Sequence, residues 1–268
     1  MNVRLFDHSA SHWGQSCGNS ARDTEGPGDV GPLRGFRPGS VAVMQPYFFP
    51  YAGYFRLFAV CEVFVIYDCV QFPRRGRVHR CQIGGDRERP TWLTLPLERQ
   101  PRETLIKDLR FSPNAREELR DRVERVAWIK GGSSPAAGLI RELLERPASS
   151  VIDYLEDSLR RVAELLAFDI KFIRSSRLAI DPQLRGQDRV IAIASAVGAK
   201  RYVNSPGGRR LYDAAAFAEA NMELRFLSSY NGPFTNMLHA LMTEEPGVIR
   251  ADIINASTLD VATPQQLR

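Results

Sequence analysis

Arginine side chains are concentrated in one short segment of the sequence. Residues 71–89 contain six arginines against Asp86 and Glu88, a net charge of +4, whereas the formal charge of all 268 residues is +5. The planar guanidinium group of arginine matches the geometry of phosphate and carboxylate groups. Some of these arginines are expected to form a solvated face. We predict that three of them bind an anion: Arg75, Arg77 and Arg80.

Two other residues of this region have side chains suited to acid–base chemistry. Asp68 ends the apolar run VFVIYD (63–68), and a carboxylate at the end of a buried strand is a candidate base or orienting group. The alternative for Asp68 is a cap of the turn. His79 lies in an alternating segment and shares a face with Arg77. We predict that His79 acts as a general acid–base, with a structural role as the alternative.

An aromatic loop with two prolines, MQPYFFPYAGYF (44–55), precedes this region. Tyr51 and Tyr54 are three residues apart, so in a helix they would lie on one face with both hydroxyls pointing the same way. We predict that they orient an acceptor together with Gln45, while Gly53 allows a close approach of backbone or ligand. The start of that helix would also suit an anion. The alternative is that the aromatic rings form core.

A glycine-containing turn, NSPGG (204–208), follows a later apolar segment. Turns of this kind can direct several backbone N–H groups at an anion. The alternative is a tight connection from strand to helix with no ligand. We predict that four residues of this turn contact the substrate: Asn204, Ser205, Gly207 and Gly208.

The elements that must position these loops follow an α/β pattern. Short apolar runs alternate with amphipathic segments at both ends of residues 41–254, which favours a mostly parallel, Rossmann-like sheet. In such sheets ligands bind at the carboxyl ends of the strands, where the loops 45–54, 68–80, 175–189 and 204–212 would meet. The alternating runs 78–83 and 91–97 predict an appended β-hairpin. Residues 105–167 predict a helical insertion or cap, with one more strand at 105–111. The strands of the sheet are predicted at 41–45, 63–68, 169–176, 200–204 and 223–226.

Composition excludes several classes of protein. With 44% hydrophobic and 25% charged residues, the chain has the composition of a globular protein, and it contains no apolar run long enough to span a membrane. The four cysteines form no CxxC pair, so we predict neither a disulfide framework nor a metal site. No secretory signal pattern is visible, and we expect a cytoplasmic protein. Residues 1–40 are predicted to be a flexible lead-in, and 256–268 a tail.

Several stretches resemble one known family. The segments MQPYFFPYAGYFRLF, VFVIYDCVQFPRRGRVHR and WLTLPL, and later DRVIAIASAVGAKRYVNSPGGRRLYD, ELRFLSSY and MLHALM, are similar to the WbqC-like family of bacterial proteins over about 41–255. The resemblance implies a gene cluster for surface polysaccharides or specialised metabolites, and acyl or aminoacyl transfer to amino sugars. It adds Tyr47 and Gln71 to the expected substrate-binding residues. The motif positions are Gln45, Pro46, Tyr47, Pro50, Gly53, Tyr54, Asp68, Gln71, Phe72, Arg75, Gly76 and Arg80.

The sequence departs from the family pattern at three positions. Cys69 stands where the family usually has an acid, His79 where it has Asn, and Arg74 where Lys is common. A fixed role for Cys69 or His79 is therefore not implied by the resemblance.

The function predicted from these residues is a transferase that acts on an activated or phosphate-bearing small molecule. Arg75 and Arg80 would hold the anionic group, and Asp68 would act as base or orienting group. No cofactor is predicted, although a nucleotide-linked substrate fits, and nucleic acid is not the expected partner. The alternative is an arginine-rich module that binds nucleic acid or another anionic partner without catalysis. The oligomeric state is left open.

Overall fold

The computed structural model describes residues 39–84, 89–145 and 150–261, and these residues build one mixed α/β fold. A six-stranded sheet has the order β5-β2-β1-β6-β7-β8, and β3 and β4 form a separate antiparallel hairpin. All neighbours in the larger sheet are parallel except the last pair. The predicted fold class is thus confirmed. The strands are β1 (Ser40–Met44), β2 (Val63–Ile66), β3 (Arg80–Gly84), β4 (Thr91–Thr94), β5 (Lys171–Arg174), β6 (Arg201–Asn204), β7 (Glu223–Leu227) and β8 (Leu259–Val261).

Strand order gives the sheet its Rossmann-like character. When only the strands of the large sheet are numbered along the chain, their order is 3-2-1-4-5-6, as in dinucleotide-binding folds. The hairpin and four helices, α2 to α5, lie between β2 and β5 in sequence. The helices are α1 (Ala52–Val60), α2 (Ala115–Glu124), α3 (Ala127–Gly131), α4 (Ala137–Glu145), α5 (Val151–Leu165), α6 (Gly186–Ala196), α7 (Ala214–Glu219), α8 (Met237–Thr243) and α9 (Pro246–Asn255).

The two faces of the sheet are buried in two separate cores. Because successive side chains of a strand point to opposite faces, Val41 and Val43 of β1 pack with α6 and α7 on one side. Ala42 of β1, with Phe64 and Ile66 of β2, packs with α1 and the helical insertion on the other. Burial on both faces explains why these strands are continuous apolar runs rather than alternating patterns.

The structure differs from the sequence prediction in two places, at the start of the insertion and in the predicted tail. The predicted strand at 105–111 is wrong, because Ile106–Asp108 forms a 3-10 helix with only single bridges on either side, Leu105 to Gln71 and Phe111 to Leu97. Within the predicted tail, β8 pairs antiparallel with β7. The predicted lead-in lies outside the described residues, apart from its last two.

No helix among the described residues is long and apolar enough to cross a membrane. In the same part of the chain no three His, Cys, Asp or Glu side chains form a group that could hold a metal ion. Cys61, Cys69 and Cys81 are all free thiols.

Candidate functional site

A cavity of about 640 Å³ lies where β2 and β5 end, at the carboxyl edge of the sheet. Its walls come from three segments: 67–71 after β2, 175–189 after β5, and 105–107 of the insertion. The start of α6 closes one side through Arg185 and Gly186. This is the edge at which ligands bind in open α/β sheets, and the volume suits a small molecule.

Asp68 fixes the relative position of the two strand ends. Its buried carboxylate accepts hydrogen bonds from Ser175 Oγ at 2.8 Å, Ser176 N at 2.9 Å and Ser176 Oγ at 2.5 Å. In return, the backbone N–H groups of Asp68 and Cys69 donate to Ser175 Oγ at 3.2 and 3.4 Å. The carboxylate has no accessible surface. Its hydrogen bonds connect the ends of β2 and β5 at the floor of the cavity. This arrangement agrees with the alternative in which Asp68 caps a turn.

The N-terminus of α6 presents unpaired backbone donors to the cavity. Gly186, Gln187 and Asp188 form the first turn, whose N–H groups have no helical carbonyl four residues before them, and none of these groups finds another acceptor among the described residues. Arg185, at the N-cap position, supplies no side-chain cap. Exposed N–H groups at the start of a helix favour an anion. The carboxylate of Asp188 in the first turn lowers the positive charge there in part.

Three cationic side chains line the same cavity: Lys107, Arg185 and Arg189. The Lys107 ammonium has no hydrogen-bond or ion-pair partner in the described part of the chain. Arg189 is held in place, because its guanidinium donates to the carbonyls of Asp181 and Leu184 at 3.1 and 3.4 Å. Arg185 is exposed and donates to the carbonyls of Pro182 and Leu184. These charges and the α6 N–H groups make the cavity suitable for a phosphate or carboxylate.

Gly186 has a backbone conformation that only glycine adopts easily, with a φ of +51°. A Cβ placed there would meet no atom within 4 Å, so a substitution acts through the backbone alone. We expect Gly186→Ala to lower the free energy of unfolding by about 1 kcal/mol. Gly186→Asn should cost less, because asparagine tolerates this region better. Urea unfolding of the two variants measures the difference. Equal stability of Gly186→Ala and the native protein would contradict the expected cost of a side chain at this positive φ.

Cys69 and Tyr67 complete the wall near Arg189. Arg189 Nη2 donates to Cys69 Sγ at 3.0 Å, and Cys69 Sγ lies 2.9 Å from Ser175 Oγ. Burial lowers the pKa of Arg189, but the hydrogen bond to Cys69 raises it overall, so the guanidinium stays charged. Burial raises the pKa of Tyr67 to about 12, which keeps the Tyr67 hydroxyl protonated as a hydrogen-bond donor at neutral pH.

Of the residues predicted above to be catalytic or to bind substrate, Gln71 lines this cavity and Asp68 lies in its floor. Gln71 lines the wall, and its Nε2 donates to the carbonyl of Arg102 at 2.7 Å. The loop 175–189, one of the four predicted from sequence to meet at the strand ends, supplies most of the cavity lining. The sequence prediction did not single out Lys107, Arg185 or Gly186. The sequence signal for the α6 N-terminus was a glycine, Gly186, at the start of a partly apolar segment.

The aromatic loop is mainly core. The prediction that Tyr51 and Tyr54 share a helical face is wrong, because Tyr51 precedes α1 in an extended conformation. The Tyr54 ring is buried beside Tyr47 at 5.3 Å, and its hydroxyl donates to the Gln45 carbonyl at 2.9 Å. Tyr51 instead lies 6.1 Å from the ring of Tyr230.

Close packing explains the glycine of this loop. A Cβ on Gly53 would lie 2.1 Å from the ring of Tyr51. The N–H of Ala52, at the start of α1, donates to the Phe234 carbonyl at 3.0 Å. This donor is therefore already paired, and the start of α1 offers less to an anion than the start of α6.

The three arginines predicted to bind an anion lie outside the cavity lining, Arg75 and Arg77 in the loop before β3 and Arg80 at the start of β3. Arg80 and Arg77 both approach the face of Trp92, at 4.3 and 5.2 Å from its centroid. Arg80 also donates to the carbonyls of Gly76 and Arg75, at 3.1 and 2.5 Å, so it holds the loop together. Arg75 is exposed. The anion-binding role of this trio stays a prediction, on a different surface from the cavity.

His79 borders a separate cavity of about 350 Å³ with Phe72, whose ring lies 5.0 Å away edge-on. Burial, assisted by Arg80, lowers the pKa of His79 to about 4. The imidazole is therefore neutral at neutral pH and has no proton to give as imidazolium. Its predicted acid–base role is not tested by this placement.

The turn after β6 is closely packed. Asn204 is buried, and its Oδ1 accepts the N–H of Ser205 at 2.7 Å. A Cβ on Gly208 would lie 2.5 Å from Asn204 Nδ2, whereas Gly207 faces open space. These contacts resemble the tight-turn alternative, and the predicted substrate contacts of the four residues stay a prediction.

Comparison with known proteins places these features in one family. The model of the WbqC-like protein family matches residues 45–238, which is more than half of the chain. The chain belongs to the WbqC-like protein family. The matched range contains every segment that lines the cavity of this WbqC-like protein, from 67–71 to 175–189.

One curated relative is similar over much of its length. The uncharacterized protein Rv1507c of Mycobacterium tuberculosis is 24% identical over an alignment of 210 residues, and the match covers 72% of this WbqC-like chain and 83% of the relative. No solved structure matches the chain.

Proposed function

We propose that this WbqC-like protein is a cytoplasmic biosynthetic transferase that binds an activated, phosphate-bearing small molecule in the cavity at β2, β5 and α6. The observation that carries the proposal is the combination of unpaired α6 N–H groups with Arg185, Arg189 and Lys107 around one cavity. Acyl or aminoacyl transfer to an amine, such as that of an amino sugar, is the reaction that the family resemblance favours.

Each of these groups has a role in such a reaction. The α6 N–H groups and Arg185 would hold the phosphate, and Arg189, fixed by two carbonyls, would hold a second oxygen. Lys107, from the insertion, together with the Tyr67 hydroxyl, would offset the remaining charge of the bound phosphate. In acyl transfer the amine of the acceptor attacks the acyl carbon, the bond between that carbon and its leaving group breaks, and the amine proton departs with the leaving group.

Removal of two cations tests the proposal. We expect Arg185→Gln combined with Lys107→Gln to weaken binding of a phosphate-bearing substrate at least about tenfold, because two charge-assisted hydrogen bonds are lost. Both side chains are exposed, so the fold should be retained. Calorimetric titration with nucleoside diphosphate sugars and acyl phosphates measures the affinity, and mass spectrometry detects transfer to an added amino sugar.

The matched control is Arg116→Gln, because Arg116 is exposed on α2 and lies outside the cavity. It should bind like the native protein. Equal affinity of the double variant and the control would contradict the proposed site. Binding to single-stranded DNA that weakens steeply with salt and depends on Arg75 and Arg77 would support the nucleic-acid alternative instead.

A further inference from the structure

A second cavity adjoins the first along the 105–112 segment. It measures about 610 Å³, and its lining includes Glu98, Lys107, Asp108, Arg110 and Phe111. Lys107 lines both cavities. The side chain at the junction is therefore that of an exposed lysine.

The backbone holds the two cavities in a fixed relation. At its start the segment is tied to the loop after β2, since Lys107 N donates to the Asp68 carbonyl at 2.9 Å. Near its end it is tied to the loop after β4, since Glu98 N donates to the Arg110 carbonyl at 3.0 Å. The run from 105 to 112 spans at most about 25 Å, a distance that one extended ligand can cover.

The charges of the second cavity differ from those of the first. Glu98 and Asp108 face Lys107 and Arg110, so its two acids balance two bases. All four side chains are exposed, and none has a hydrogen-bond or ion-pair partner within the residues that the structure describes. A ligand with no net charge and many groups that both donate and accept hydrogen bonds matches this set. Sugar hydroxyls have that property, and the partly exposed ring of Phe111 offers an apolar surface to the C–H face of a sugar.

We propose that one ligand occupies both cavities. Its phosphate lies in the first, cationic cavity, which Lys107, Arg185 and Arg189 line, its sugar ring lies in the second, and Lys107 lies beside the bond between them. This inference rests on the proposed function, since it places the phosphate in the same cavity. It assigns the substrate class as a sugar phosphate or nucleotide sugar, and it assigns Glu98 and Asp108 to recognition of the sugar.

Two probe types separate the cavities. Inorganic phosphate probes the first cavity alone, and the 1-phosphates of glucose, galactose, mannose, glucosamine and N-acetylglucosamine probe both. We expect at least one sugar phosphate to bind about tenfold more tightly than phosphate in ³¹P NMR titrations of the full chain. In Glu98→Gln combined with Asp108→Asn, this advantage should fall below about threefold. Binding of phosphate alone should be unchanged or slightly stronger, because negative charge has been removed nearby.

Glu117→Gln is the control, because Glu117 is an exposed acid on α2 outside both cavities, and it should keep the full advantage. The inference is overturned if every sugar phosphate binds only as tightly as phosphate, or if the advantage persists in the double variant. If neither phosphate nor any sugar phosphate binds the native protein, the proposed function itself fails. The first two outcomes leave phosphate binding, and with it the proposed function, intact.

Discussion

Replacement of Arg56 by methionine is expected to lower the free energy of unfolding by about 3 kcal/mol. Arg56 lies on α1 with no accessible surface, and its guanidinium donates to the carbonyls of Ser228 and Ala256, each at 2.7 Å. Its Cζ also lies 5.4 Å from the centroid of Tyr230. Methionine would fill most of the volume of the stem but would leave two carbonyls without donors. These contacts join α1 to the residue that follows β7 and to the segment that precedes β8.

Chemical denaturation in urea, followed by circular dichroism, measures this loss. Arg56→Lys should give an intermediate value, because one ammonium cannot reach both carbonyls with the geometry of the guanidinium fork. Arg116→Met on the exposed face of α2 is the control and should change stability by less than about 0.5 kcal/mol. A loss of that small size in Arg56→Met would show that β8 is not held to α1 through this side chain.

The sheet could be predicted from sequence because its strands are buried on both faces. β1 and β2 have no exposed residue, so they read as uninterrupted apolar runs. β8 could not be found in this way, because Leu259–Val261 is short and pairs with only one neighbour at the sheet edge. The run at 105–111 is rich in apolar residues, but its pairing is limited to isolated bridges, and a local 3-10 turn replaces the strand.

The aromatic loop shows why residue type alone does not distinguish a binding loop from core. Tyrosines and prolines near a strand end suggest a binding loop, yet Phe48 and Tyr54 are buried against other rings. Phe49 even adopts a positive φ of 41° to reach the core. Long-range packing decides this outcome, and a local pattern does not encode it.

For a related reason, the sequence predicted loops around the cationic cavity but not the side chains of Lys107 and Arg185. Lys107 and Arg185 come from segments far apart in the chain, and each is an ordinary surface residue in its local context. They become a pair because the insertion folds back onto the loop after β2, where Ile106 N donates to the Val70 carbonyl at 2.9 Å. That return of the chain is a tertiary contact with no sequence motif.

Replacement of Asp68 by alanine is expected to lower the free energy of unfolding by about 3 kcal/mol and to abolish ligand binding. The change leaves the buried hydroxyl of Ser175, together with the hydroxyl and the backbone N–H of Ser176, without their acceptor. Asp68→Asn keeps the shape and one acceptor oxygen, and a serine hydroxyl can rotate to accept from the new amide. Its cost should therefore be nearer about 1 kcal/mol. Urea unfolding and phosphate titration measure the two effects, with the exposed Asp121→Ala as the control.

A double-mutant cycle separates the structural role of Asp68 from the catalytic role predicted from sequence. If the carboxylate stabilises the strand ends, Asp68→Ala and Ser176→Ala should show a coupling energy of about 1–3 kcal/mol. A catalytic base that contributes nothing to this junction would give additive stabilities, and Asp68→Asn would then fold and bind like the native protein while losing turnover. The absence of accessible surface on the carboxylate favours the first result, because a base must reach the proton that it removes.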